Sequence, residues 1–296
     1  MIKFNSINPI NLLKTSTVGL RFQYKEPMAK KALEKNQILK GAYKGKRCFI
    51  IGTGPSINKQ DLSLIAGETC LVMNSFYLHP EYPNLQDVYH VVTGIYIQYL
   101  QANSQLKNGG DVLTDGSYVD QWFDKFKDKL SLQNTKNKRF FVDFPDKEIV
   151  EKHLSGPEYQ IFYGRFARNI EDIKIYGIDA SFPLYNYHNV SVKALQLAIH
   201  MGFDQIYLLG LDHDWLVRRV AKIANDHFYD QNETDSDFDP FISWQWKDEF
   251  FLHYRLWQEY TLIGEFCAEN NISIYNSTEG GLLDVFPRVR LSSIFN

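Results

Sequence analysis

Short apolar runs, each closed by glycine or a small polar residue, recur along the chain. Cys48-Phe49-Ile50-Ile51 follows the basic stretch Lys44-Gly45-Lys46-Arg47 and leads into Gly52-Thr53-Gly54-Pro55-Ser56. A short continuous run bounded in this way predicts a strand buried on both faces, as in a parallel sheet. The same pattern predicts strands over 47–51, 69–74, 88–92, 139–142, 205–209 and 272–275. Helical spacing predicts helices over 26–39, 61–65, 96–106, 118–130 and 246–270. Within 191–212, Val192, Leu195, Ala198 and Ile199 form an apolar helical face, and Gly202 ends that helix. A strand then leads into Gly210-Leu211-Asp212-His213. Residues 108–116 read as a loop and 145–187 as an aromatic, irregular stretch. Residues 225–243 read as a long acidic loop, lid-like or acceptor-binding. Helices alternating with parallel strands predict an α/β fold, a mostly parallel sheet with helices on both faces. Residues 1–43 read as a basic N-terminal arm with a helix, and 44–296 as a single domain.

Polar residues collect after the predicted strands: Thr53 and Ser56, Asn74, Thr93, Asp212, Ser277. In an open parallel sheet these carboxyl ends share one edge, where ligands are held. Gly52 and Gly54 would let backbone N–H groups approach a ligand, and Pro55 and Ser56 would start a helix. The turn is not a phosphate-binding P-loop, because no lysine follows Gly54 at that spacing. It is not a full dinucleotide fingerprint either, since the third glycine would fall at Ile57.

Composition narrows the field. A net charge of −3 argues against a broad nucleic-acid-binding surface. Cys48, Cys70 and Cys267 are scattered and odd in number, and read as reduced, buried thiols of a cytoplasmic protein rather than disulfides or a zinc site. No run of about 18 apolar residues is present, so no transmembrane helix is expected. Basic residues in 1–40, among them Lys3, Lys14, Arg21 and Lys25, are interspersed with apolar ones. They suit either peripheral contact with an anionic membrane or an arm packed on the domain or a second subunit.

The stretch from Lys46 to Ser56, with Asp61-Leu62-Ser63 and Asn74 after it, resembles the start of the MptE-like proteins, domain of unknown function 115. It is also similar to the related bacterial CMP-sialic-acid sialyltransferases of glycosyltransferase family 42. Ser191–Asp212 and the ending Asn276–Gly281 fit the same families, with gaps, over about residues 44–287. The resemblance implies a Rossmann-like sheet, a GT-A-like variant. Its sialyltransferase branch implies transfer of a nonulosonic acid from a CMP donor to a glycan hydroxyl, without metal, by a histidine base, in bacterial surface-glycan (lipopolysaccharide or capsule) biosynthesis. The MptE branch implies pyrophosphoryl transfer from ATP with magnesium, Asp212 being a candidate ligand. A non-catalytic glycan-assembly protein on the same fold is the third reading. The partners expected are a nucleotide sugar and a glycan acceptor, with a homo-oligomer in the cytoplasm or at the inner face of the membrane.

Carried over by position, Thr53 stands where the sialyltransferase motif has Asn, so one hydroxyl replaces an amide pair. Asn74 matches a cytidine-side Asn, Thr93 falls at another Asn, Ser191 matches a Ser near the donor phosphate, and His188 stands at the preceding Arg. The family base aligns near His253, with His227 in the acidic loop an equal candidate and His213 a third. Tyr229 could protonate or steady the leaving phosphate. Tyr207 reads as core, and Arg165 and Arg168 as a surface pair that an anionic sugar could also use. The expected site is therefore His227 or His253 as base, with Gly52, Thr53, Gly54, Ser56, Asn74, Thr93, Ser191, Asp212, Tyr229 and Ser277 around the nucleotide sugar, and no metal in the first branch.

Overall fold

The computed structural model describes residues 27–93, 117–132, 138–221, 223, 227–229 and 245–295. Seven strands form one sheet, all parallel: β1 (Arg47–Ile51), β2 (Thr69–Met73), β3 (Asp87–Val91), β4 (Lys138–Asp143), β5 (Tyr159–Gly164), β8 (Gln205–Leu209) and β9 (Ser273–Asn276). Their order is β5-β4-β3-β2-β1-β8-β9. Two short strands, β6 (Phe166–Arg168) and β7 (Leu184–Tyr185), pair separately. The chain moves outward from β1 through β2 to β5 and then returns to β8 on the other side. The order therefore reverses between β1 and β8, the place where open α/β sheets leave a crevice.

The apolar runs are continuous because both faces are covered. On one face Cys48, Ile50, Leu71, Val91, Phe141, Ile206 and Leu208 pack under α5 (Val190–Met201) and α7 (Trp246–Glu269). On the other, Phe49, Ile51, Cys70, Val72, Phe140 and Leu209 meet α1 (Pro27–Glu34), the 3-10 turns Pro55–Lys59 and Leu62–Ile65, and α2 (Ser117–Ser131). Three shorter helices complete the set: α3 (Lys147–His153), α4 (Ile173–Tyr176) and α6 (Trp215–Ala221). The expected α/β architecture is the observed one. The strand after Gly202 and the long final helix fall where the apolar spacing puts them.

Two readings change. Residues 145–187 are not irregular throughout: they hold α3, β5, β6, α4 and β7. The segment after Gly54 makes two 3-10 turns rather than an α-helix, the second capped by Asp61, whose side chain accepts from the Ser63 N–H. The predicted helix over 96–106, the loop over 108–116 and most of 225–243 lie outside the described residues. The three cysteines are buried and unpaired. No described helix is long and apolar enough to cross a membrane. Residues 27–39 pack on the domain: Leu33 is fully buried, and Asn36 donates to the carbonyls of Tyr163 and Ala180 at 2.8 and 2.7 Å.

Candidate active site at the carboxyl edge of the sheet

The turn after β1 is locked to the turn after β8. Gly52 N–H donates to the Leu209 carbonyl at 2.8 Å and Gly54 N–H to the Gly210 carbonyl at 2.9 Å. A Cβ on Gly52 would strike the Gly210 carbonyl and the Leu211 side chain, and one on Gly54 would strike the Asp212 carboxylate. The two glycines thus serve the close approach of β1 and β8, and their N–H groups are not free to cradle a phosphate. What the approach creates is a paired Ser56 and Asp212: Ser56 Oγ donates to Asp212 Oδ2 at 2.9 Å. Burial raises the Asp212 carboxyl above its ordinary value, and the Ser56 bond opposes this.

Thr53 holds a strap. Its Oγ1 lies 2.9 Å from His227 Nδ1, and its carbonyl accepts from the Phe228 N–H at 2.8 Å. Phe228 packs edge-on against Phe76 and His79, and the His227 and Tyr229 rings stack at 5.0 Å. Burial pushes His227 below the ordinary imidazole value, with Thr53 opposing. Burial pushes the Tyr229 phenol up, opposed by a hydrogen bond with Ser75, so the phenol keeps its proton at neutral pH. Residues 227–229 therefore lie across the exits of β1 and β2.

Beyond β2 the edge continues as a polar network. Asn74, in a left-handed conformation at φ 42°, accepts from the Thr93 N–H through Oδ1 at 3.1 Å. Thr93 Oγ1 and the Tyr187 hydroxyl both donate to Asp143 Oδ2, at 2.9 and 2.8 Å. Lys193 Nζ, fully buried, donates to Asp143 Oδ1 at 2.9 Å and to the Val92 carbonyl at 2.7 Å. Burial lowers the Lys193 pKa and Asp143 opposes it. Asp143, Tyr187 and Lys193 were not among the expected site residues. One signal was available, Asp143 directly after the predicted strand 139–142; Lys193 gave none, because only the structure shows α5 buried from Ser191 to Met201, with no solvated face for a lysine.

On the other side of β8, His213 and His253 come together. His213 is buried, with Nε2 at 2.7 Å from the Tyr260 hydroxyl, which itself bonds Ser191 Oγ. Burial and the nearby His253 push His213 down to about 3. His253 donates from Nδ1 to the Glu249 carbonyl at 2.8 Å, one helical turn back, and lies 4.4 Å ring to ring from Trp215. That bond fixes the tautomer, so Nε2 carries the lone pair, and Nε2 is buried without a hydrogen-bond partner among the described residues. His188 contacts Glu259 twice, its backbone N–H at 3.0 Å and Nδ1 at 2.5 Å.

The edge thus gathers Gly52, Thr53, Gly54, Ser56, Asp212, Asn74, Thr93, His227 and Tyr229, with His253 beside the β8 exit. Ser191 is present but enclosed, its hydroxyl spent on Asn189 and Tyr260. Ser277 stands apart: its carbonyl accepts from Gln60 Nε2 at 2.7 Å, and it lines a different cleft. Tyr207 is core, stacked between Phe49 and Tyr275. Arg168 sits on β6 over the Tyr176 ring, and Arg165 on the turn before β6. Among the described residues no three His, Cys, Asp or Glu side chains converge as a metal cluster.

No family model and no curated protein matches the chain. Among solved structures it is similar to the sialyltransferase CstII from Campylobacter jejuni in complex with the substrate analogue CMP-3FNeuAc, at 15% identity and TM-score 0.33, over 78% of this chain and 79% of that one. A second CST-II structure, with a trisaccharide acceptor and CMP, gives 12% and 0.40 over 82% and 86%. The MAf glycosyltransferase from Magnetospirillum magneticum AMB-1 gives 12% and 0.43, over 88% of this chain and 38% of that one. At such identities and TM-scores the likeness assigns neither a family nor an activity to this chain.

Proposed function

We propose that this protein is a glycosyltransferase that moves a sugar, a nonulosonic acid from a CMP donor, to a glycan hydroxyl. The observation that carries the reading is His253. Its Nδ1 is held by the Glu249 carbonyl, and its Nε2, enclosed and without a hydrogen-bond partner among the described residues, lies by His213, which follows β8 where the sheet order reverses. The base takes the acceptor hydroxyl's proton as its oxygen attacks the anomeric carbon. The bond from that carbon to the phosphate oxygen breaks, and CMP leaves with the electron pair, giving inversion. Tyr229, which holds its proton, is suited to donate a hydrogen bond to the departing phosphate. His227 is the second candidate for base: its Nδ1 meets the Thr53 hydroxyl, which can donate or accept, so this bond does not set its tautomer as the Glu249 carbonyl sets that of His253.

The test is acceptor-dependent release of CMP from a CMP-nonulosonate by the full chain. His253→Gln is expected to lower kcat by about 10²- to 10⁴-fold with KM little changed. A His227→Gln variant that loses turnover while His253→Gln keeps it would reverse the assignment. ATP binding that strengthens with magnesium, with no CMP release, would favour pyrophosphoryl transfer instead.

A further inference from the structure

A second cleft lies on the far side of the 3-10 turn that carries Ser56. Residues 59–64, 276–280 and 288–292 contribute its walls, and it encloses about 760 Å³, within the range of small-molecule sites. We propose that this cleft binds a saccharide bearing an oxyanion, carboxylate or phosphate, at a site separate from the transfer crevice.

Three cations line it, Lys59, Arg288 and Arg290, against two acids, Asp61 and Glu279. Asp61 Oδ1 accepts from the Ser63 N–H and hydroxyl at 3.1 and 2.5 Å, bonds that fix the carboxylate without neutralising it, so the lining is cationic by one charge. Arg288 is fixed but not neutralised. Its Nη1 donates to the carbonyls of Thr278 and Gly280 at 3.1 and 2.6 Å, and its Nη2 to those of Gly281 and Leu283 at 3.0 Å each. The four carbonyls take all four Nη hydrogens and hold the guanidinium plane, so Arg288 braces this wall and contributes its charge rather than a bidentate fork. Lys59 and Arg290 form no salt bridge among the described residues, so both charges remain for a ligand.

Of the lining residues, Gln60 and Ser277 each carry a buried side-chain oxygen, Oε1 and Oγ, with no hydrogen-bond partner among the described residues. Among the described residues no aromatic side chain lines the cleft, so a nucleobase finds no ring there to stack on. The cleft and the crevice share Pro55–Lys59 and the 276–282 segment: Thr278 Oγ1 accepts from the Leu211 N–H at 3.1 Å, and the Asp212 carbonyl accepts from the Leu282 N–H at 2.8 Å.

Calorimetry on the full chain tests this with a hexose 6-phosphate, N-acetylneuraminate, a neutral methyl hexoside and inorganic phosphate as probes. At least one charged sugar is expected to bind ten-fold or more tightly than the neutral one and than inorganic phosphate. Lys59→Glu with Arg290→Glu is expected to weaken that binding ten-fold or more, while Asp212→Asn leaves it unchanged. Because both charge reversals are at exposed positions, an unchanged melting curve shows that the fold is kept. No binding by either charged sugar, equal binding by inorganic phosphate, or loss in Asp212→Asn alone would overturn the proposal. A failure of CMP to bind would count against the crevice and leave this cleft standing.

Discussion

Lys193 is fully buried in the interior of α5, and its ammonium donates to Asp143 and the Val92 carbonyl and faces the Phe141 and Phe166 rings. Removing Lys193 leaves the Asp143 carboxylate with its hydroxyl donors, Thr93 and Tyr187, but without this counter-charge. Lys193→Met is expected to cost about 3–5 kcal/mol, with part recovered in Lys193→Met/Asp143→Asn, read by denaturant unfolding as a double-mutant cycle. The pair was half legible: an acid after a strand is a signal, while a lysine in a helix reads as solvated until every side of the helix is seen to be covered. His213 gives a pH signature. An unfolded imidazole titrates near 6.5, and His213 is pushed down to about 3. Between those values the unfolded chain binds a proton that the folded one does not, so stability falls as pH drops through that window. The slope is about 1.4 kcal/mol per pH unit for one histidine. His90, also held at about 3, adds to it, while Asp212 and Glu259, raised by burial, oppose it above the ordinary carboxylate range. His213→Asn is expected to flatten the slope measured between about pH 4 and 6 by one proton's worth. An unchanged slope would mean that His213 is charged in the folded state.

At the scale of elements, the β1 exit was legible in place but not in purpose. The bounds of β1 and the Gly52–Ser56 turn follow from four apolar residues and two glycines. That the glycines make room for Gly210 and Asp212, rather than for a phosphate, depends on which strand lies beside β1, and no local pattern carries that. Gly54→Ala is expected to destabilise by about 1–3 kcal/mol, since the added methyl meets the Asp212 carboxylate and the Gly210 carbonyl. Thr53→Val, which keeps the shape and removes the bond to His227, is expected to loosen 227–229 with little change in melting temperature, seen as faster amide exchange at Phe228. Strand β5 was missed because Tyr159–Gly164 is aromatic, lies at the sheet edge, and is followed by elements of only two to four residues.

For the molecule as a whole, one parallel sheet explains why distant polar residues meet. Thr53, Asn74, Thr93 and Asp212 follow β1, β2, β3 and β8, and parallel strands put all four on one edge. That much follows from the recurrence of apolar runs ending in polar residues. Ser277 obeys the same rule and yet faces another cleft, because β9 is the edge strand and the chain beyond it folds back along 287–289. The central claim, a nucleotide-sugar site along the carboxyl edge of β1, β2, β3 and β8, is tested most directly by titrating CMP, UDP, GDP and ADP into the full chain by calorimetry. The account predicts one-to-one binding of CMP in preference to the other three, weakened at least ten-fold in Asp212→Ala. Failure of all four nucleotides to bind would contradict it.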